Sequence, residues 1–265
     1  MSTATAFEKA RADERAALVG YLPAGFPDVA GGIEAMTAMV DAGCDVIEVG
    51  LPYSDPVMDG PTIQAAAQMA LEGGVRITDV LRTVEAVAAT GTPTVVMTYW
   101  NPVLRYGVDR FARDLATAGG AGLITPDLVP DEADDWVAAA DEHGLDKVFL
   151  VAPSSTDDRL RRTTQACRGF VYATAVMGVT GARESTSSLA GPLVERTRAV
   201  TELPVGVGLG VSTGDQAAEV ARFADGVIVG SAFVRRVLDA GSDRAAGLAA
   251  LSALTRDLAE GVRRA

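Results

Sequence analysis

Eight short runs of apolar, often β-branched residues recur along this chain, separated by alanine-rich stretches whose apolar positions fall at helical spacing. The runs cover residues 17–22, 45–49, 94–98, 122–125, 147–151, 169–173, 204–208 and 226–229. The helical stretches cover 29–42, 63–72, 78–89, 111–118, 132–143, 159–166, 193–200, 215–223 and 244–263. Strands separated by helices are parallel and buried on both faces, because each crossover helix returns the chain to the same edge of the sheet. Eight such units in 265 residues predict an α/β fold, a closed (β/α)8 TIM barrel. The rival, an open doubly wound sheet, carries a glycine fingerprint straight after its first strand. Here that place reads Pro23-Ala24-Gly25-Phe26-Pro27, which lacks the spacing. Nothing resembling a linker divides the chain, so a single domain over 1–265 is expected.

The loops before the strands are short, as at 41–44 and 202–203, whereas those after them are long or rich in Gly, Pro, Asp and Ser. The richest are 50–61, 99–107, 174–191 and 208–213. Loops at the C-terminal ends of barrel strands build the active site, so the chemistry belongs there.

Charge narrows the partners. Thirty-five acidic against 23 basic side chains give a net charge of -12, a field that repels phosphate backbones and anionic lipid. Nucleic acid and membranes are therefore not expected. A small phosphorylated ligand remains compatible, because local backbone N–H groups bind phosphate against an unfavourable net charge. Residues 1–15 are polar and charged and do not read as a signal peptide, no apolar run is long enough to span a bilayer, and the expected compartment is the cytoplasm. Cys44 and Cys167 stand far apart, which suggests neither a disulfide scaffold nor a metal site. The single histidine, His143, ends a predicted helix before Gly144, where a cation suits the helix dipole. Trp136 reads as helix packing, Trp100 as lining a pocket or an interface, and Arg159, Arg161 and Arg162 as a solvated helix face.

Three glycine turns follow the last three strands: 178–181, 206–212 and Gly230-Ser231-Ala232. Glycine lets the backbone approach a phosphate, and Gly230-Ser231 would open a short helix whose free N–H groups attract an anion. A single such turn means little; three at one corner of a barrel predict a phosphate site. In the second strand, Val46 and Glu48 point one way while Ile47 and Val49 point the other. If Glu48 faces the interior, loss of hydration raises its pKa and suits it to proton transfer near neutrality; the plainer reading is a structural carboxylate held by a partner. The next loop contains Pro52, Pro56 and Pro61, and carries Asp59 eleven positions beyond Glu48. By itself Asp59 before Gly60 reads as a turn residue.

The segment Glu48-Val49-Gly50-Leu51-Pro52-Tyr53-Ser54-Asp55-Pro56-Val57-Met58-Asp59-Gly60-Pro61-Thr62-Ile63-Gln64 closely resembles the signature of the tryptophan synthase α subunit family. The resemblance continues in order through Met97-Thr98-Tyr99-Trp100-Asn101-Pro102, Pro126-Asp127-Leu128-Val129-Pro130, Gly178-Val179-Thr180-Gly181 and Gly230-Ser231-Ala232, spanning residues 20–234. It implies a lyase that cleaves indole-3-glycerol phosphate to indole and glyceraldehyde 3-phosphate in tryptophan biosynthesis. By the same resemblance Glu48 is the general acid/base and Asp59 the partner of the indole N–H. Tyr21, Tyr99, Tyr172 and Thr180 line the substrate pocket, Gly181, Gly210, Gly230 and Ser231 bind phosphate, and Asp55 and Thr180 organise loop closure. No metal or cofactor is implied for this chain; pyridoxal phosphate belongs to the partner β subunit of an α2β2 assembly. Val176, where some members carry arginine, and Leu209, where an aromatic is common, depart from the family pattern without touching the carboxylates. Two alternatives accompany this reading: a free-standing indole-3-glycerol phosphate lyase, and a non-catalytic activating partner of the β subunit. A generic sugar-phosphate isomerase barrel explains the glycine turns but not the Pro-Tyr-Ser-Asp-Pro loop.

Overall fold

A computed structural model describes residues 2–174 and 187–264 of the chain. Its strands are β1 (Ala17–Pro23), β2 (Val46–Gly50), β3 (Thr94–Met97), β4 (Gly122–Thr125), β5 (Asp146–Val151), β6 (Val171–Thr174), β7 (Val205–Gly208) and β8 (Gly226–Val229). Each pairs in parallel with the next, and β8 pairs with β1, which closes the (β/α)8 barrel expected from the sequence. The helices are α1 (Ala4–Ala12), α2 (Val29–Ala42), α3 (Pro61–Glu72), α4 (Ile77–Ala88), α5 (Trp100–Tyr106), α6 (Val108–Thr117), α7 (Asp134–His143), α8 (Asp157–Ala166), α9 (Ser187–Arg198), α10 (Gly214–Ala221), α11 (Ser231–Ala240) and α12 (Arg244–Gly261).

Strand alternation divides the apolar side chains into two groups. Ile47, Val49, Val96, Leu123, Phe149, Val171, Val205, Val207 and Val227 face outward and pack with helix residues such as Met36, Val84, Phe111, Leu115 and Leu160. Ala17, Val19, Val46, Val95, Ile124, Val148, Phe170 and Ile228 face inward and fill the barrel. Burying each large aliphatic or aromatic side chain contributes about 1.5–3 kcal/mol, so both layers are needed to offset the entropy of ordering the chain. Val46 belongs to the inner group while Ile47 and Val49 belong to the outer one, so β2 alternates as its sequence requires and Glu48 points inward.

Besides α11, expected only as a short helix opening at Gly230-Ser231, two helices occupy stretches that the sequence pattern did not mark. The 99–107 stretch, read above as a loop, contains α5, which is too short to show a 3.6-residue period; Pro102 lies in its first turn, where a missing N–H costs nothing. The polar N-terminal segment contains α1, with Ala6, Phe7 and Ala10 buried on one face. Phe7 stacks on Phe170 with ring centroids 5.1 Å apart, so α1 plugs the N-terminal end of the barrel and leaves the opposite end for function.

Candidate active site

At the C-terminal mouth, Glu48 is 1 % exposed and pairs in register with Tyr21 of β1 on one side and Val95 of β3 on the other. Its Oε1 is buried without a hydrogen-bond partner among the described residues. Burial alone pushes its carboxyl up from 4.5 to about 8, because no group among the described residues compensates the lost hydration of the charged form. Among the described residues, no partner holds Oε1 as the structural reading of Glu48 would ask. At neutral pH most of the population carries the proton, as a general acid requires.

Asp59 stands half-buried at the end of the β2–α3 loop, directly before Gly60, the N-cap of α3, and Pro61 at its first helical position. Burial raises its pKa, and a hydrogen bond donated by the Tyr99 hydroxyl to Oδ1 at 3.3 Å works against that rise. The same hydroxyl accepts from the Met58 N–H at 2.9 Å, so one side chain from the end of β3 fixes both the loop backbone and its carboxylate. The Gln64 amide adds a bond to the Asp59 carbonyl at 2.7 Å. Asp59 is thus not merely a turn residue, and the loop is held in shape rather than limp.

Tyr21 joins the two acids. Its pKa is raised well above the usual range, first by burial, then by Asp59 and Glu48, and further by Tyr99 and Tyr172. The Tyr172 hydroxyl is also raised, by burial and then by Glu48. Two glycines make room for these rings. A β-carbon on Gly50 would strike the ring and hydroxyl of Tyr21, and one on Gly208 would lie 2.7 Å from the Tyr172 hydroxyl. Four of the residues expected to bind or react, Tyr21, Glu48, Asp59 and Tyr99, are therefore neighbours around one mouth, with Tyr172 across from them beside Glu48.

The phosphate candidates gather at the β7 and β8 ends, which are adjacent because these strands pair. Gly210 has φ +70 with open space where a side chain would stand, a conformation that suits glycine and exposes backbone to a ligand. Gly230 is the N-cap of α11, Ser231 its first residue, and the helix's first backbone bonds run from Phe233 and Val234 to the Gly230 carbonyl. The Ser231 and Ala232 amides precede those bonds and point out of the helix end. Asp55 is exposed and accepts from Ser54 Oγ at 2.6 Å. Thr180 and Gly181, together with Gly178, Val179 and Val176, lie outside the described residues.

Away from the mouth, Trp136 is fully buried, Trp100 half-buried, and Arg161 and Arg162 pair on the surface with Asp158 and Asp131. His143 ends α7 before a left-handed Gly144, with Nε2 3.8 Å from Asp109 Oδ1; these two and Glu142 bring possible ligand atoms within 4.8 Å of one another on the barrel flank. A cleft of about 340 Å³ at the α1 end is lined by Arg11, Arg198 and Arg222, but these guanidinium groups sit at helix C-terminal ends, and two of them face Asp225. Sequence reasoning missed Tyr53 and Asn101. Tyr53 packs on Tyr99 with centroids 5.3 Å apart and accepts from Asn101 Nδ2 at 3.2 Å. Only the unabsorbed aromatic in the signature segment hinted at it.

Comparison with known proteins places this geometry. The sequence profile described as "Tryptophan synthase alpha chain" matches residues 7–263. The tryptophan synthase alpha chain of Salinispora arenicola is 69% identical over 258 residues, covering 97% of this chain and 96% of that protein. That of Nocardia farcinica is 63% identical over 262 residues, covering 99% and 96%. Among solved structures, a chain of Mycobacterium tuberculosis tryptophan synthase superposes with a TM-score of 0.92 at 60% identity, covering 98% of each chain. The tryptophan synthase subunit alpha of Legionella pneumophila superposes at 0.89 with 33% identity, covering 99% of this chain and 98% of that one.

Proposed function

The chain belongs to the tryptophan synthase alpha chain family, and we propose that Glu48 and Asp59 are the two acids through which it carries out the family's α reaction. That reaction is a lyase step of tryptophan biosynthesis: retro-aldol cleavage of indole-3-glycerol phosphate to indole and glyceraldehyde 3-phosphate. The observation that supports the assignment is the pairing of an inward, unpartnered, proton-holding Glu48 with a half-buried Asp59 around a common aromatic wall.

The chemistry fits those two environments. Indole carbon leaves only after its C3 is protonated, and Glu48 supplies that proton. The ring then carries positive charge at its N–H, which the Asp59 carboxylate accepts as a hydrogen bond. The C3–glycerol bond breaks with its electron pair returning to the indole ring, and the adjacent hydroxyl gives its proton to the now ionised Glu48 as the aldehyde forms. Glu48 ends protonated, so the cycle closes without net proton loss. Each transfer contributes about 10²–10⁴-fold. The protonated ring is the electron sink, so the step asks for no cofactor or metal from this chain; pyridoxal phosphate is assigned to the partner β subunit. Gly210, Gly230 and Ser231, with Gly181, hold the phosphate at the β7–β8 corner, and Tyr21, Tyr99, Tyr172 and Thr180 line the space between. Asp55 and Thr180 are assigned to loop closure, which excludes water.

Around the mouth Val57, Met58 and Leu104 are 78%, 50% and 55% exposed. Large apolar side chains grouped beside an active site suit a partner surface, and the β subunit is the proposed partner. No helix among the described residues is long and apolar enough to cross a membrane. The decisive assay measures indole release from indole-3-glycerol phosphate by purified protein, alone and with a β subunit. Release that rises on adding β and vanishes in Asp59→Asn supports the assignment; strong release without β favours a free-standing lyase, and full release by Asp59→Asn removes Asp59 from the mechanism.

A further inference from the structure

Asp59 follows an exposed stretch of its loop, Ser54, Asp55, Val57 and Met58, yet its carboxylate must meet a small N–H group in a defined place. Among the described residues, the side chain that bonds this carboxylate is Tyr99, at 3.3 Å, near the long limit for such a contact. A displacement of the Tyr99 ring by about 0.3 Å carries the oxygen pair beyond hydrogen-bond range. Whatever fixes that ring therefore fixes Asp59.

Tyr53 packs against it. The two rings are 5.3 Å apart at 35°, an offset arrangement that restrains both. Tyr53 is itself tied, because Asn101 Nδ2 donates to its hydroxyl at 3.2 Å. Asn101 lies in the first turn of α5, and that turn is anchored in turn by the Trp100 N–H donating to Asp127 Oδ1 at 2.9 Å beyond β4. A continuous tether runs from the β4 end through α5 to Tyr53, Tyr99 and Asp59.

We propose that Tyr53, held by Asn101, is a positioning residue of the α reaction that keeps Tyr99 in hydrogen-bond range of Asp59. The proposal rests on the assignment of Asp59 above. Among the described residues Tyr53 bonds Asn101 and packs on Tyr99 rather than meeting the carboxylate, so it acts through Tyr99. Its sign on pH dependence follows from the groups facing Asp59, which are Tyr99 from the β3 end and Tyr21 from β1, with Glu48 behind Tyr21. The Tyr99 bond lowers the Asp59 pKa against burial, so losing it moves the acid side of the activity profile to higher pH.

The test uses the full chain and indole-3-glycerol phosphate, with kcat, KM and the pH profile of kcat/KM as readouts. Tyr53→Leu is expected to lower kcat about tenfold with KM changed less than about twofold, and to shift the acid limb up by about half a pH unit. Tyr99→Phe should give the same shift, and the double variant no more than Tyr99→Phe alone. Tyr53→Phe and Asn101→Ala remove only the tether, keep the packed ring, and should each move the limb in the same direction by a smaller, equal amount; they keep the test valid if Tyr53→Leu does not fold. An acid limb unmoved in all three Tyr53 and Asn101 variants while Tyr99→Phe shifts it overturns the proposal. So does full additivity of Tyr53→Leu and Tyr99→Phe. Wild-type activity in Asp59→Asn would instead overturn the Asp59 assignment beneath it.

Discussion

The barrel buries one carboxylate near each end and treats them in opposite ways. At the N-terminal end, Asp146 of β5 is 0% exposed and accepts from Ser2 Oγ, from the Thr3 N–H and hydroxyl at 2.7 Å each, and from Arg168 Nε at 3.4 Å. At the C-terminal end, Glu48 of β2 is as deeply buried, and its Oε1 finds no partner among the described residues. The first carboxylate is used as a clamp that fastens residues 2–3 and α1 across the barrel floor. The second is left unsatisfied, which destabilises the fold locally and stores a proton where the reaction needs one. On the assignment proposed above, burial alone does not mark a functional acid; burial without compensation does.

The largest expected effect breaks the contrast at the mouth. Glu48→Gln keeps the shape but cannot exchange the proton, so indole release should fall by at least about 10²-fold. The same change should stabilise the protein at alkaline pH. Glu48 has a folded pKa of about 8, above its ordinary 4.5, so its contribution to stability is fully present below pH 4.5 and is lost as pH rises through 8. Glutamine has no charge to bury. Thermal melting at pH 6 and pH 9 should therefore show the variant gaining on the wild type as pH rises, and a constant difference between the two would mean that Glu48 is not held protonated by burial.

The second effect breaks the contrast at the floor and should leave the mouth alone. Asp146→Asn replaces a carboxyl group that accepts from several donors by an amide whose NH₂ repels part of them, at a cost of about 1–3 kcal/mol. Urea unfolding should register that loss, and amides of α1 should exchange faster, because the clamp on Ser2 and Thr3 is weakened. kcat for indole release, measured well below the melting temperature, should stay within about twofold, since no reacting group is touched. A fall in kcat comparable to that of Glu48→Gln would erase the division of labour between the two ends.

How much of this was legible in the sequence differs between the ends in the same manner. At the mouth, β2 alternation put Glu48 on one face with Val46 but left open which face was inside, and the strand ends agree with the eight expected runs to within two residues because buried parallel strands are written as uninterrupted β-branched stretches. The role of Asp59 was not legible from spacing; Asp-Gly reads as a turn, and only the motif resemblance outweighed that. Asn101 was missed because α5, at 7 residues, is only about two turns long and leaves no period to detect, and Tyr53 because its partners lie on that unmarked helix and at the β3 end. The floor was largely illegible. Its plug is a helix with three buried residues in an otherwise polar segment, and the Asp146 clamp joins residues 143 and 144 positions apart, a pairing no local pattern encodes. Thr180 and Gly181 stand as expectations from resemblance.

The smallest effect sharpens the comparison, because it improves the floor and should leave the mouth unchanged. α1 ends in a paired C-terminal motif, with the Arg15 N–H bonded to the Ala10 carbonyl and the Glu14 N–H to the Arg11 carbonyl, both at 3.0 Å. That geometry puts Glu14 at φ 54, the left-handed region, where a β-carbon is strained and glycine is favoured. Glutamate also places a negative charge beside the negative end of the α1 dipole. Glu14→Gly relieves both, while the freer unfolded chain takes back part of the gain, so the net stabilisation should be about 0.5–1 kcal/mol. A chain of this size then melts about 2 °C higher. kcat and the pH profile should coincide with those of the wild type; a shifted acid or alkaline limb would show that strain at the floor reaches Glu48 or Asp59, and that the two ends are one mechanical unit.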